Sequence, residues 1–221
     1  MATVALDSTS FKLPVWVSTI GEFHEWLDSG DVPEKARVWF LNGEAWIDMS
    51  KEQLDSHLEV KGAITSVLWA LTSSNSSGRV YPDGVLLTNR RAGISGNPDM
   101  VFVSNRSREQ RRVRRQRGAK GGYVGLIGSP DMVLEVVSDS SVVKDTETLL
   151  EAYWIAAISE YWLVDARADA IEFDILKRGP KGYIETRKQT GWVKSSVFGK
   201  SFKLTRREDV EGDAVFTLHV K

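Results

Sequence analysis

Two short segments carry the residue types that could do chemistry, and each opens on Pro-Asp. Asn97-Pro98-Asp99 leads into Met100-Val101-Phe102-Val103, and Ser129-Pro130-Asp131 leads into Met132-Val133-Leu134-Glu135-Val136-Val137. Both runs have the apolar, β-branched character of strands. The second holds a carboxylate inside the run. Burying a bare carboxylate costs several kcal/mol, so Glu135 belongs at an edge, at a cleft or against a metal. Side chains alternate faces along a strand, which puts Asp131, Val133, Glu135 and Val137 on one face. Asp131 and Glu135 then stand roughly 13 Å apart, at about 3.3 Å per residue, too far to share one ion easily. Asp99, from a different strand, is the better partner for Glu135. Two carboxylates plus a backbone carbonyl, such as that of Val136, make a hard oxygen site of the kind Mg²⁺ or Mn²⁺ prefers. Such an ion lowers the pKa of a bound water and stabilises charge on a phosphodiester oxygen. The plainer alternative is two strand-end acids satisfied by backbone amides or by a basic partner. Asp131 has its own plain reading, as a cap of the Ser129-Pro130 turn.

The elements that must position these residues can be read from spacing. Residues 1–17 read as a loosely held arm and 18–221 as a single domain. Ser18 opens a short helix with Phe23, Trp26 and Leu27 at helical spacing and Gly30 at its end. Asn42-Gly43 joins the apolar runs 37–41 and 44–49, a strong hairpin signal because both turn positions favour positive φ. Ser50-Lys51-Glu52-Gln53 has a capping-box pattern. It heads a long helix on which Leu54, Leu58, Lys61, Ile64, Leu68 and Leu71 trace one stripe. Strands are expected near 79–88, 99–104 and 131–138, a second helix over 145–157, and a hairpin from 160–165 and 170–176. Strand, helix, strand across 131–165 suits a right-handed crossover. Short strands fill the tail from Gly182. Trp26, Trp39, Trp69 and Trp162 read as core, and Trp154 as a residue that could face a second copy.

The chain has 221 residues and a formal net charge of −1, enough length for one α/β domain and no field that selects a partner. The charge is uneven. Residues 106–120 form a basic insertion with one acid, Glu109; Arg111, Arg112, Arg114, Arg115, Arg117 and Lys120 in it are candidates for phosphate contacts. A solvated charge run, or pairing with an acidic partner surface, is the alternative. The absence of cysteine excludes disulfides, thiolate metal sites and a cysteine nucleophile. The start of the chain has no signal-peptide pattern, and no apolar run approaches the roughly 20 residues of a membrane span. A soluble cytoplasmic protein with no membrane partner is expected.

The order of these motifs resembles a known family. Asn42-Gly43-Glu44, Ser56-His57, Asn97-Pro98-Asp99, Pro130-Asp131-Met132-Val133-Leu134-Glu135-Val136-Val137-Ser138, Lys144-Asp145, Glu151-Ala152-Tyr153 and Glu160-Tyr161-Trp162-Leu163-Val164-Asp165 are similar to the Uma-type restriction endonuclease family of the PD-(D/E)XK nuclease superfamily. The resemblance covers roughly residues 20–180 and implies an α/β restriction-endonuclease-like fold, with a mixed central β-sheet flanked by helices and additional β-hairpins. It implies metal-dependent hydrolysis of DNA. It puts Asp99 and Glu135 in the ligand roles, and it adds Glu44 and His57 as further catalytic candidates. Two departures stand out. The superfamily's lysine would stand two residues after the glutamate, where this chain has Val137. Members of this branch often carry it on the following helix, at the place of Leu149. Lys144 is the nearest lysine, able to swing in from the helix start. A metal-dependent endonuclease, working as a homodimer that cuts opposite strands, is therefore weighed against a catalytically weak or inactive nucleic-acid-binding or assembly protein on the same fold.

Overall fold

The computed structural model describes residues 2–6, 9–13, 15–32, 36–48, 53–118 and 121–221. Two strands, β1 (Ala2–Leu6) and β2 (Thr9–Leu13), pair antiparallel as a sheet of their own, a hairpin that the reading of 1–17 as an arm did not include. Helix α1 (Ile20–Asp28) begins at Thr19, whose hydroxyl accepts from the Glu22 amide while the Glu22 carboxylate accepts from the Thr19 amide. The capping box thus falls here. The Ser50–Glu52 part of the expected one lies outside the described residues.

Strands β3 (Arg37–Leu41) and β4 (Glu44–Asp48) form the expected hairpin, with positive φ at Asn42 and Gly43. A π-helical turn, Leu54–Leu58, leads into α2 (Glu59–Asn75). Next come β5 (Gly78–Pro82), β6 (Leu86–Asn89), β7 (Ile94–Gly96) and β8 (Met100–Ser104). The single strand expected near 79–88 is thus two, broken at Asp83-Gly84, where both residues take positive φ. The basic insertion is ordered as the short helix α3 (Asn105–Glu109) and strand β9 (Val113–Arg117), followed by β10 (Tyr123–Gly128). Strand β11 (Met132–Val136) carries Glu135. A second π-helical turn, Lys144–Thr148, opens α4 (Leu149–Ile155), and the two together fill most of the helix expected over 145–157. The remaining strands are β12 (Glu160–Asp165), β13 (Glu172–Arg178), β14 (Tyr183–Glu185), β15 (Val193–Lys194), β16 (Ser201–Glu208) and β17 (Ala214–Val220).

The central sheet runs β14-β13-β12-β11-β8-β5, with β11 and β12 parallel and the other neighbours antiparallel. A second mixed sheet runs β4-β3-β7-β6-β10-β9, and β15-β16-β17 make a C-terminal meander. Alternation sorts the central strands. Met100, Phe102, Met132, Leu134, Val136, Trp162 and Val164 pack against α2 and the meander. Val101, Val103, Val133 and Tyr161 pack against α4 and the second sheet. Glu135 shares the second face, so it points between α4 and the second sheet. Glu160 ties the meander down. Its buried carboxylate accepts from Trp162 Nε1 (3.1 Å), Ser195 Oγ (2.6 Å) and the amides of Ser196 (2.5 Å) and Val197 (3.1 Å).

Trp26, Trp39 and Trp162 are buried, as their periodicity implies, but Trp69 is 54% exposed. Leu54 and Leu58, at the head of the expected stripe, are exposed as well, on the π-helical turn that precedes α2. Among the described residues no helix is long and apolar enough to cross a membrane.

Candidate active site

Strands β8 and β11 pair antiparallel through Met132↔Phe102, Val133↔Val101 and Leu134↔Met100. One step further sets Asp99 opposite Glu135 on the same face, where Cβ atoms of facing residues are about 5 Å apart. The Asp99 amide donates to Glu135 Oε2 at 3.4 Å, and the Val136 amide donates to Asp99 Oδ2 at 2.8 Å. The pairing expected from sequence is thus made by sheet register, and both carboxylates are buried. Asp131 does not join them. It accepts from the Ser104 amide and the Ser107 hydroxyl, at 2.7 and 2.8 Å, and so secures the start of α3 rather than its own Ser129-Pro130 turn.

Basic side chains converge on Asp99. Arg37 Nη1 donates to Oδ1 at 3.1 Å, Lys61 Nζ stands 3.5 Å from the same oxygen, and His57 Nε2 lies 3.4 Å from Oδ2. Burial opposes ionisation of Asp99, yet His57, Lys61 and the Val136 amide hold its carboxyl well below the usual range. Glu135 behaves oppositely. Burial pushes it well above the usual range, helped by the neighbouring acids Asp99 and Asp145 and countered by Lys144 and by Tyr153, whose hydroxyl donates to Oε1 at 2.5 Å.

Lys144 lies on the π-helical turn before α4, ion-paired with buried Asp145 and 4.9 Å from the Trp39 ring centroid. Burial lowers its pKa, but Glu135 and Asp145 outweigh that and hold the ammonium above its ordinary value. Asp145 is fixed further by the Ser141 hydroxyl at 2.5 Å. Leu149, where the resemblance places a lysine, is fully buried in the apolar cluster with Trp39 and Tyr153, and Val137 is fully buried too. Lys144 is the cation whose charge acts on Glu135. His57 and Lys144 both sit on π-helical turns, which add a residue to the helical repeat and re-aim side chains, a feature frequent at functional sites.

A polar cleft of about 20 Å³ opens here, lined by Arg37, Trp39, Asp48, His57, Asn97, Asp99, Glu135, Val136, Ser138, Ser141, Lys144 and Asp145. That is room for about one water-sized guest. Glu44 is not brought to it. The residue is exposed at the hairpin end of β4, and Asp48, at the other end of the same strand, lines the cleft instead. Among the described residues no group of three or more histidines and acids stands within reach of one ion. The donor chemistry nonetheless fits a small hard cation completed by waters. Two facing carboxylates and the adjoining Val136 peptide supply oxygens, and Asp48 and Asp145 add negative charge.

Sequence reasoning passed over Arg37, Lys61, Asp48 and Trp39 as site residues. For Lys61 the signal was present, since a lysine within an apolar helical stripe needs a buried acid. The Arg candidates divide. Arg112 is committed to the Ala157 carbonyl at 3.2 Å and lies 4.0 Å from Asp131. Arg111 is exposed in a turn, Arg114, Arg115 and Arg117 are exposed on edge strand β9, and Lys120 lies outside the described residues.

The family model Uma2, described as "Putative restriction endonuclease", matches residues 20–206. Four chains of solved structures match. One, a putative nuclease belonging to DUF820 from Anabaena variabilis ATCC 29413, superposes with a TM-score of 0.60 at 15% identity, over 82% of this chain and 90% of its own. At that identity the likeness establishes a shared fold. Comparison with curated proteins gives no match.

Proposed function

Since the chain belongs to the Uma2 family of restriction-endonuclease type, we propose that it is a divalent-metal-dependent nuclease that hydrolyses phosphodiester bonds in DNA. The observation that carries this reading is the buried Asp99–Glu135 pair beside Lys144 at the base of a polar cleft. Asp99, Glu135 and the Val136 carbonyl would hold Mg²⁺ or Mn²⁺. When bound, the ion would acidify a water and offset charge on the phosphoryl oxygens. The side chains do the rest. Arg37, Lys61 and His57 keep Asp99 ionised, Tyr153 fixes the Glu135 carboxyl, and Asp145 aims the Lys144 ammonium. That ammonium orients the attacking water or meets charge developing on the phosphate. Arg114, Arg115 and Arg117 on β9 would neutralise backbone phosphates. On this reading a homodimer in the cytoplasm would bring two clefts to the two strands of a duplex.

The test is cleavage of circular single- and double-stranded DNA with Mn²⁺, Mg²⁺ or EDTA, by wild type and by Glu135→Gln and Asp99→Asn. Metal-dependent cutting lost in both variants is expected; intact DNA under all conditions would sink the reading. Val137 and Leu149 favour a second one, nucleic-acid binding without cleavage, which predicts salt-dependent binding by wild type that survives Asp99→Ala.

A further inference from the structure

A larger groove, about 630 Å³, has Asp83 in its lining. Its walls are the C-terminal half of α2, strand β5 and the β9–β10 hairpin. Two features of it have no role in the fold. Trp69 on α2 is 54% exposed and Tyr123 on β10 is 49% exposed, although both are large aromatics that the core does not use. Ladder register slips between Tyr123 and Gly125, so Val124 is an extra residue in β10. In a regular strand Tyr123 and Val124 would face opposite ways; at this bulge both line the groove. The charge is placed to match. Arg115 stacks its guanidinium 3.8 Å from the Tyr123 ring centroid, Arg117 lies at 5.9 Å, and Arg79 stands on β5.

One residue of the groove lining, Asp83, touches residues of the candidate active site. It donates its amide to the Asp99 carbonyl at 2.9 Å, and holds Lys61 and Arg37 by its carboxylate at 3.2 and 3.3 Å. The same two cations reach Asp99.

Exposed aromatics in one groove with arginines beside them suit unpaired bases, because every base has a π-face and its phosphates need cations. A duplex hides its base faces in its own stack and would leave Trp69 and Tyr123 without a contact of this kind. We propose that this groove is a single-strand nucleic-acid site. It stacks unpaired bases on Trp69 and on the Arg115-backed Tyr123 and leads the strand past Asp83 to Asp99 and Glu135. The inference rests on the nuclease reading for its direction, but its binding chemistry needs neither metal nor cleavage.

The experiment is fluorescence anisotropy in EDTA with labelled 12-nucleotide oligo-dT and a 12-base-pair duplex, using full-length protein. Oligo-dT is expected to bind at least tenfold more tightly than the duplex. Trp69→Ala and Tyr123→Ala should each weaken oligo-dT binding by about five- to a hundredfold, the range of one lost base–aromatic stack. Duplex binding and melting temperature should not change, since both side chains are exposed. Equal binding of the two DNAs, or oligo-dT binding indifferent to both variants, overturns the proposal. So does a dimer that dissociates in Trp69→Ala, which would give the groove to a second copy. Cleavage is read separately with Mn²⁺. Cutting that persists in groove variants with unchanged binding leaves the nuclease reading intact and removes this one; tight oligo-dT binding without cutting does the reverse.

Discussion

Replacing Lys144 with methionine keeps the length of the side chain and its packing against Trp39 but removes the ammonium that pairs with Asp145 and faces Glu135. The pair is nearly closed to water, with the Lys144 side chain 11% exposed and that of Asp145 2%. The small discount that surface pairs require therefore hardly applies. Removing one partner of a buried pair leaves the other charged and unsolvated and costs about 3–5 kcal/mol. For a chain of this size each kcal/mol moves the melting temperature by about 2–4 °C, so a drop of roughly 6–20 °C is expected by calorimetry. Asp145→Asn introduced into Lys144→Met removes the stranded charge and should return most of that loss, giving a coupling of at least about 2 kcal/mol in the double-mutant cycle. In the cleavage assay Lys144→Met should cut about 10²–10³-fold more slowly, while Mn²⁺ binding by calorimetry persists. A melting temperature within about 2 °C of wild type, or a loss that Asp145→Asn does not relieve, would refute the reasoning that Lys144 is the cation this site is built around.

Glu160→Ala strands four donors from Trp162, Ser195, Ser196 and Val197, and should lower stability by about 3–5 kcal/mol in urea unfolding. Glu160→Gln should also destabilise, since its amide group has to face donors on one side or the other. At Gly96 an added Cβ would fall 1.9 Å from Trp39 Cε3, so Gly96→Ala must displace the ring that packs against Lys144. About 1–3 kcal/mol of stability and part of the cleavage rate should go together, and unchanged rate with reduced stability would separate Trp39 from the site. Burial, and then Arg90, lower the His24 pKa from its ordinary 6.5. The unfolded chain therefore takes up the proton first, and His24 contributes no loss above about pH 6.5 and a growing loss as pH falls below it. The urea midpoint should decline from pH 7.5 to 5.5 with a slope that His24→Gln reduces; an identical slope in the variant would count against this assignment.

Local chemistry in the chain was enough to specify several parts of the fold. Asn42-Gly43 is a two-residue turn wherever it stands, because few other residues accept positive φ at both positions. Pro-Asp followed by β-branched runs makes β8 and β11, and the two-residue period puts Glu135 on one known face. The need of a buried carboxylate for company made Asp99 its expected partner. What the chain could not state by itself is which residues meet across it. The register of β8 on β11 fixed the Asp99–Glu135 contact, and two π-helical turns, which no simple periodicity signals, aimed His57 and Lys144. Arg37 and Lys61 became site residues only because β3, on one side of the central sheet, and α2, on the other, both bring a basic side chain to Asp99. Trp69 has the spacing of a core residue, yet the groove beside α2 leaves it open, because periodicity tells which face a residue lies on and not whether another element covers that face. The basic run likewise reads as a solvated arm until β9 pairs with β10 and its backbone hydrogen bonds are met within a sheet, which sets its arginines along one edge. The residue types, and so the chemistry available, were determined by the sequence. Their convergence on one cleft was decided by tertiary structure, because contacts between residues dozens of positions apart depend on strand register and helix packing that no local pattern encodes.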